Sequence, residues 1–197
     1  MSFHQIIAIL CILGLFALYV YGVVKKNTVK GRKMWNSIER EILWVAVPAV
    51  VFYCFFTLTF SVADIQSGSM EPTLMTGDRA LINQMAYIGN REIKRGDIVV
   101  FWFEEQQEYF GKRVIGLPGD EISFEDGKVY INGEILDESS YLDPSVETLC
   151  VKEFTVPEGS YFLLGDNRRS SLDSRYWKNP YIEKKAIKGK YLCRFPF

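Results

Sequence analysis

Residues 121–134 read EISFEDGKVYINGE and carry the clearest signal of fold class in the chain. Apolar and polar side chains alternate in both halves, and the dipeptides Asp126-Gly127 and Asn132-Gly133 follow the two halves. Asp-Gly and Asn-Gly favour the tight turns that join antiparallel strands, because the central positions of those turns need a positive φ. The stretch therefore predicts short antiparallel strands connected by hairpin turns.

The same pattern continues on both sides of this hairpin. Short β-prone runs separated by turn residues are ALINQMAYI (80–88), DIVVFWF (97–103), KRVIGLPGD (112–120), EFTVPEGSYFLLGD (153–166) and KGKYLCRF (188–195). No sustained helical period is found after residue 64. We therefore expect a mainly β fold at 64–197, with an antiparallel sheet in a partly open, barrel-like domain.

Two long apolar segments precede the β region. Residues 6–24 and 42–63 contain no Asp, Glu, Lys or Arg, and each is long enough to cross a hydrocarbon core of about 30 Å. Residues 25–41 hold six basic and two acidic side chains, and a short basic loop between two spans favours the cytoplasmic side. The sequence thus predicts transmembrane α-helices at 1–24 and 42–63, a cytoplasmic loop at 25–41 and an extracytoplasmic β domain at 64–197.

A cleaved signal peptide is the alternative for the first apolar segment. Basic residues follow this segment and do not precede it, which disfavours that alternative. In the β domain, Cys150 and Cys193 would lie on the oxidising side of the membrane, where a disulfide is permitted. Their spacing does not show whether they pair.

Charge and histidine content exclude several function classes. Residues 64–197 carry 17 basic and 22 acidic side chains, which disfavours binding to nucleic acid. The one histidine, His4, precedes the first apolar segment. Ser/His/Asp and Cys/His nucleophilic sites and histidine zinc sites are therefore excluded from the β domain.

Three polar segments carry the candidate chemistry. Residues 67–74 (SGSMEPTL) are typical of an exposed, tightly turned loop. Residues 111–120 (GKRVIGLPGD) begin with two charged side chains that a strand would point to opposite faces, so that one is aimed inward. Residues 165–177 (GDNRRSSLDSRYW) follow an apolar strand and indicate a polar network. The ordinary alternatives are an unspecialised loop, an edge-strand lysine that prevents aggregation, and a solvated charged loop.

Together, and in this order, SGSMEPTL, KRVIGLPGD and GDNRRSSLDSRYW resemble the type I signal peptidases, the membrane-bound Ser/Lys proteases. The resemblance runs from the first apolar segment to Trp177. It implies that Ser69 is the nucleophile, that Lys112 is the general base, and that Ser67 supplies a hydroxyl to the oxyanion hole. Supporting roles would fall to Ser171, which would hydrogen-bond Lys112, to the ion pair of Asp173 with Arg175, and to Asp166, Asn167 and Arg168.

The same resemblance implies the substrates and the location. The substrates would be secretory preproteins with signal peptides, cleaved after small residues of the Ala-x-Ala type at a bacterial inner (plasma) membrane. The protein would be multi-pass in the lipid bilayer, with its catalytic domain on the periplasmic or extracellular side, and no cofactor, metal or nucleic acid is implied. Candidate pocket residues are Met70, Leu74 and Phe110, and Phe101, Trp102 and Phe103 are further apolar side chains near the site.

A lysine can act as a base only when it is neutral. A free lysine has a pKa of about 10.4, so activity near pH 8 needs a downward shift of roughly two units, which burial supplies. We therefore expect Lys112 to lie buried on the inward face of its strand.

Two positions depart from the family pattern, and two other functions stay open. Arg169-Ser170 stand where the family usually has Asp-Asn, and Gly111 stands where a β-branched residue usually precedes the lysine, so that Tyr109 or Phe110 would line the pocket instead. The alternatives are a specialised Ser/Lys peptidase for pilin or secretion-system subunits, and a non-catalytic tethered β domain that binds an envelope partner.

Overall fold

The computed structural model of the chain describes residues 7, 10–14, 16–17, 20–21, 45, 47–89 and 91–195. The chain divides into two compact units, Met1–Phe60 and Ser61–Phe197. In the first unit, helix α1 spans Val47–Thr59 and carries no charged side chain. Among the described residues, no helix combines the length and the apolar character needed to cross a bilayer. The predicted loop at 25–41 and most of the predicted span at 1–24 lie outside the described residues.

The second predicted helix was placed too far along the chain at its C-terminal end. Helix α1 ends at Thr59, and Phe60–Asp64 form strand β1 at the edge of a sheet. The sequence FSVAD has a β-branched centre and pairs with the next strand, so sheet hydrogen bonding replaces the helix there. The absence of charged residues does not show where the backbone changes from helix to strand.

Eleven strands make up most of the regular structure that is described after α1. They are β1 (Phe60–Asp64), β2 (Arg79–Asn83), β3 (Ile98–Phe103), β4 (Glu108–Gly116), β5 (Glu121–Glu125), β6 (Lys128–Ile131), β7 (Glu134–Ile135), β8 (Phe154–Thr155), β9 (Ser160–Leu164), β10 (Tyr181–Glu183) and β11 (Ile187–Phe195). A 3₁₀ turn at Gly68–Met70 lies between β1 and β2, and a second one at Lys184–Ala186 precedes β11.

The strands form two sheets. The larger has seven strands in the order β1-β2-β11-β3-β4-β9-β10, and the smaller has four in the order β7-β6-β5-β8. The pairings with a defined register are antiparallel. The predicted mainly β, antiparallel fold is therefore confirmed. The larger sheet has β1 and β10 as its two edges.

The hairpin turns are those that the sequence predicted. Asp126 and Asn132 have φ angles of 46° and 54°, and the glycines that follow them have φ angles of 72° and 83°. Two successive residues in the left-handed region are what the two-residue turns of hairpins require. The turn residues thus set the register of β5, β6 and β7.

The core of the second unit follows the strand alternation. In β3, Val99, Phe101 and Phe103 are at most 4% exposed and pack with Leu163 and Trp177. Burying side chains of this size contributes about 1.5–3 kcal/mol each. Phe101 and Phe103 are therefore core residues, which corrects their assignment to the neighbourhood of the pocket.

A second apolar cluster lies where strands of the two sheets pack together. Its buried members are Ile115, Ile122, Val129, Ile131, Phe154, Val156, Phe162 and Leu164. Gly116 lies in this cluster, and a Cβ on it would come within 3 Å of three neighbouring side chains. Close packing of β4 against β5 and β9 therefore excludes a side chain at this position.

The disulfide that the sequence left open is not formed. Cys150 and Cys193 are both free thiols, the first half-buried and the second exposed in β11. An oxidising compartment would permit a bridge, but a disulfide also needs the two sulfur atoms to lie within bonding distance.

Candidate active site

The turn that carries Ser69 is fixed from its buried side. Met70 and Leu74 are 2% and 3% exposed and pack with Ile98 in a small apolar cluster. The backbone N–H of Leu74 donates a 3.0 Å hydrogen bond to the carbonyl of Met70. On the other side of the turn, the hydroxyl oxygens of Ser67 and Ser69 lie 3.3 Å apart. Burial of the apolar side chains thus presents the two serines to an open cavity.

Ser67, Ser69 and Lys112 line one cavity of about 760 Å³. Its apolar walls come from β2, β3, β4 and β11 and include Ala80, Ile82, Val100, Trp102, Tyr109 and Tyr191. The three candidate pocket residues Met70, Leu74 and Phe110 also line it. The described residues contain no cluster of His, Cys, Asp or Glu side chains arranged to hold a metal ion. The cavity therefore brings a serine, an amine and an apolar surface together.

Lys112 is buried, as its expected role requires. It lies in β4 opposite Val99 and is 3% exposed. Within the described chain its amine makes no hydrogen bond or ion pair, and Nζ lies 5.8 Å from the centre of the Phe110 ring. Burial lowers the pKa of Lys112 from 10.5 to about 8, and the negative charges of Asp173 and Asp166 oppose that shift. Removal from water therefore outweighs the nearby carboxylates.

Arg113 is buried as well, although strand alternation predicted that only one of the two neighbouring bases would point inward. It is 8% exposed, and its guanidinium donates to the two carboxylate oxygens of Asp166 at 2.8 and 2.6 Å. The Thr73 hydroxyl donates to the same carboxylate at 2.5 Å. The loop after β9 therefore covers the second face of β4 and connects it to the segment that follows Ser69.

Asn167 binds the serine turn directly. Its side-chain amide donates a 3.0 Å hydrogen bond to the carbonyl of Gly68, and its backbone N–H donates a 3.1 Å hydrogen bond to the carbonyl of Ser69. Two bonds from one residue restrict both the position and the tilt of the turn. Asn167 thus joins the first and third polar segments of the sequence.

Asp173 and Arg175 form the expected ion pair. The guanidinium donates to both carboxylate oxygens at 2.9 Å, and both side chains are almost fully buried. The carboxylate also accepts the backbone N–H of Gly165, and Arg175 donates to the carbonyl of Arg168 at 2.8 Å. The pair therefore ties both ends of the loop after β9 together.

The predicted hydrogen bond between Ser171 and Lys112 is not present. Ser171 is 4% exposed, and its hydroxyl has no partner in the part of the chain that is described. The hydroxyl packs against Gly165 instead, where a Cβ would overlap it and would lie 2.5 Å from the carbonyl oxygen of Ser69. Because Gly165 has no side chain, Ser171 and the turn that carries Ser69 can both pack closely against it.

The two departures from the family pattern differ in position. Gly111 lines the cavity between Tyr109 and Lys112, and a Cβ on it would meet no atom within 4 Å. Arg169 is exposed, whereas Ser170 beside it lines the cavity. Leu172, which the sequence analysis did not single out, also lines the cavity while 48% exposed. No pattern in the sequence indicates this position, because residues 171–175 do not form a strand and Asp173, Ser174 and Arg175 are buried in succession.

Comparison with known proteins identifies the family. The model of the family "Signal peptidase, peptidase S26" matches residues 39–196. The chain is 41% identical over 178 residues to probable signal peptidase I-2 of Synechocystis sp., which covers 87% of this chain and 78% of that protein. It is 35% identical over 173 residues to signal peptidase I of Bacillus licheniformis, covering 82% of this chain and 91% of that protein.

A signal peptidase I from Enterococcus faecalis V583, known from a crystal structure, is 31% identical to the chain. It matches 52% of this chain and 98% of that chain, with a TM-score of 0.42. The family match covers most of the chain, and the Synechocystis relative is similar over nearly all of it. On these two matches, the chain belongs to the signal peptidase family, peptidase S26.

Proposed function

We propose that this chain is a membrane-anchored serine endopeptidase that removes signal peptides from translocated preproteins, with Ser69 as nucleophile and Lys112 as general base. The observation that carries the proposal is that the Ser69 hydroxyl and the buried Lys112 amine line the same cavity in a member of the signal peptidase family. A serine hydroxyl is a weak nucleophile until a base removes its proton. The cavity supplies an amine as that base.

In the acylation step, Oγ of Ser69 attacks the carbonyl carbon of the scissile bond and its proton passes to neutral Lys112. The oxyanion that forms accepts hydrogen bonds from the backbone N–H of Ser69 and from the Ser67 hydroxyl, whose oxygen lies 3.3 Å from that of Ser69. Each such donor typically stabilises the transition state by about 3 kcal/mol. The intermediate collapses as the C–N bond breaks, and Lys112 returns the proton to the leaving amine of the mature protein.

In the deacylation step, Lys112 takes a proton from a water molecule that attacks the Ser69 ester. The second tetrahedral intermediate releases the signal peptide with a free carboxyl group, and Oγ of Ser69 regains a proton from Lys112. The Ser69 hydroxyl and the neutral Lys112 amine are thereby both restored.

The state of Lys112 supports this assignment. Burial lowers its pKa to about 8, so a substantial fraction of the amine is neutral at mildly alkaline pH. The Ser171 hydroxyl has no hydrogen-bond partner among the described residues, and we assign it the orientation of the amine when substrate is bound. Asp166, Asn167, Arg168, Asp173 and Arg175 hold the two catalytic segments together through the contacts described above.

The cavity supports a preference for small side chains beside the cleaved bond. Met70 and Leu74 fill the space under the Ser69 turn and are themselves almost fully buried. Phe110 lines the cavity beside Lys112, with its ring centre 5.8 Å from Nζ. The preference for alanine beside the cleaved bond is implied by membership of the signal peptidase family, and we assign these three residues to the part of the cavity that would receive the small side chains.

We further propose that the uncharged residues 6–24 and 42–59 anchor the enzyme in a bacterial inner membrane, with the β domain that begins at strand β1 outside. A substrate held in the same bilayer would then be presented at a high effective concentration. Protease digestion of intact spheroplasts tests this topology, because only a domain on the outer side is degraded.

The test of function is cleavage of a preprotein with an Ala-x-Ala site by the detergent-solubilised protein. We expect the wild type to cleave at that site, and Ser69→Ala and Lys112→Ala to lose activity almost completely while they remain folded. A pilin or secretion subunit cleaved in place of the preprotein would favour the specialised peptidase. Full activity of Ser69→Ala would contradict the proposed chemistry.

A further inference from the structure

A segment outside the three polar motifs contacts Arg168 of the third motif. It follows β7 and contains Glu138, Tyr141 and Thr148. Arg168 has a fully buried side chain, and its guanidinium donates to the two carboxylate oxygens of Glu138 at 2.9 and 2.5 Å and to the Thr148 hydroxyl at 2.5 Å. A buried guanidinium is costly without a counter-charge. Glu138, 30 residues away in sequence, supplies it.

Arg168 transmits this contact to the serine turn. Its Nε donates a 3.1 Å hydrogen bond to the carbonyl of Gly165. Gly165 in turn lies against the Ser69 carbonyl and the Ser171 hydroxyl, with no room for a side chain. A displacement of Arg168 would therefore move Gly165, which packs against both the Ser69 carbonyl and the Ser171 hydroxyl.

Glu138 reaches the same turn by a second route. Its carboxylate accepts a 2.6 Å hydrogen bond from the Tyr141 hydroxyl, and the centre of the Tyr141 ring lies 3.9 Å from the guanidinium carbon of Arg113. Arg113 holds Asp166, which accepts the Thr73 hydroxyl four residues after Ser69. Burial raises the pKa of Tyr141, and the nearby Glu138 carboxylate adds to that shift, so the phenol remains a donor.

We propose that Glu138 is a positioning residue of the cleavage reaction, acting through Arg168 and Arg113 on the turn that carries Ser69. The inference rests on the proposed function, since it assigns a role in that reaction. It also gives the segment after β7 a role: the segment orders the active site through residues that do not line the cavity.

The decisive variant is Glu138→Gln, which keeps the size of the side chain and removes its charge. We expect kcat to fall by about 10- to 100-fold, because a shift of about 1 Å in a reacting group costs up to about 100-fold. KM should change by less than about twofold, since Glu138 does not line the cavity. Glu138→Asp restores the charge on a shorter side chain, and its kcat should lie between those of Glu138→Gln and the wild type.

Asp97→Asn is the matched control. The Asp97 carboxylate also joins a base and a tyrosine hydroxyl, with Lys190 at 2.5 Å and Tyr87 at 2.8 Å, and its side chain is 10% exposed against 13% for Glu138. Asp97→Asn should lower the unfolding temperature while leaving kcat within about twofold of the wild type. A purely structural role for Glu138 would make the two variants alike.

The experiment combines steady-state kinetics on a preprotein with hydrogen–deuterium exchange over residues 67–74, at a temperature where all variants are folded. The proposal predicts faster exchange of this segment and reduced kcat in Glu138→Gln but not in Asp97→Asn. Unchanged kcat and exchange in Glu138→Gln, or equal losses in both variants, would overturn it.

Two further results keep the inference separate from the proposed function. If the folded wild type cleaves no preprotein, the proposed function is wrong, and so is the role of Glu138 in the cleavage reaction. Hydrogen–deuterium exchange would then show only whether Glu138 orders residues 67–74. If Glu138→Gln does not fold, Tyr141→Phe provides the test, because it removes one bond to Glu138 and leaves Arg168 paired. We expect it to lower kcat about two- to fivefold, and wild-type kcat and exchange in that variant would overturn the proposal.

Discussion

The pH dependence of cleavage follows from the burial of Lys112. Its pKa is lowered from 10.5 to about 8, which corresponds to about 3 kcal/mol of lost solvation that nearby carboxylates do not restore. In the proposed mechanism only the neutral amine accepts the Ser69 proton, so kcat/KM should rise with pH through that pKa. A pKa of about 8 leaves about one-eleventh of Lys112 neutral at pH 7 and about ten-elevenths at pH 9.

We therefore expect kcat/KM to increase about tenfold from pH 7 to pH 9 and then to level off. An unshifted lysine of pKa 10.5 would give an increase of about 100-fold over the same interval, with no plateau below pH 10. The assay is cleavage of a signal-peptide substrate from pH 6 to pH 10 in detergent, with circular dichroism at each pH. A second substrate without ionisable groups near the cleavage site controls for titration of the substrate.

Two profiles would refute this account of Lys112. A rate that is constant from pH 6 to pH 10 means that no lysine acts as the base. A rate that still rises steeply at pH 10 means that burial does not shift the pKa in the working enzyme. Loss of secondary structure at any pH removes that point from the comparison.

Other substitutions test the energetics of the site. Lys112→Met should be inactive, yet its free energy of unfolding at pH 7, measured by urea denaturation, should exceed that of the wild type by up to about 3 kcal/mol. The reason is that the lowered pKa of Lys112 in the folded state makes its protonated form costly to bury below pH 8. This gain in stability should vanish above pH 10.5, where the lysine is neutral in both the folded and the unfolded state. Gly165→Ala should reduce preprotein cleavage about 100-fold or more, because the new Cβ would overlap the Ser171 hydroxyl and the Ser69 carbonyl oxygen. Gly111→Ala should change the free energy of unfolding by no more than about 0.5 kcal/mol, because its Cβ would meet open space. Asp173→Asn leaves the buried Arg175 without its counter-charge and should cost about 3–5 kcal/mol in the same denaturation experiment; a cost below 1 kcal/mol would contradict the burial of the pair.

The hairpins were predictable because their determinants are local. Asp126-Gly127 and Asn132-Gly133 adopt the positive φ angles that their turns need. The alternating apolar and polar side chains beside these turns indicate the strands that the turns join. The order of strands in the larger sheet was not predictable in this way. β11 lies between β2 and β3, and that neighbourhood joins residues about a hundred positions apart.

Parts of the site escaped the sequence for a similar reason. Strand alternation predicts one inward base at positions 112 and 113, but Arg113 is also buried because its partner Asp166 arrives 53 residues later and covers it. The contact of Glu138 with Arg168 likewise depends on the folded arrangement of two separate segments. The resemblance of three short motifs to the signal peptidases indicated Ser69 and Lys112, whereas the contacts that hold these residues in place depend on the folded structure.

The claim that Ser69 is the nucleophile is tested most directly by locating the acyl group. A peptidyl ester ending in Ala-x-Ala is mixed with the solubilised protein, the reaction is stopped with acid, and tandem mass spectrometry maps the added acyl mass. The account predicts an ester on Ser69 in the wild type and little or none in Lys112→Met. An acyl group on Ser67, on Ser171 or on any other residue, with Ser69 unmodified, would contradict it.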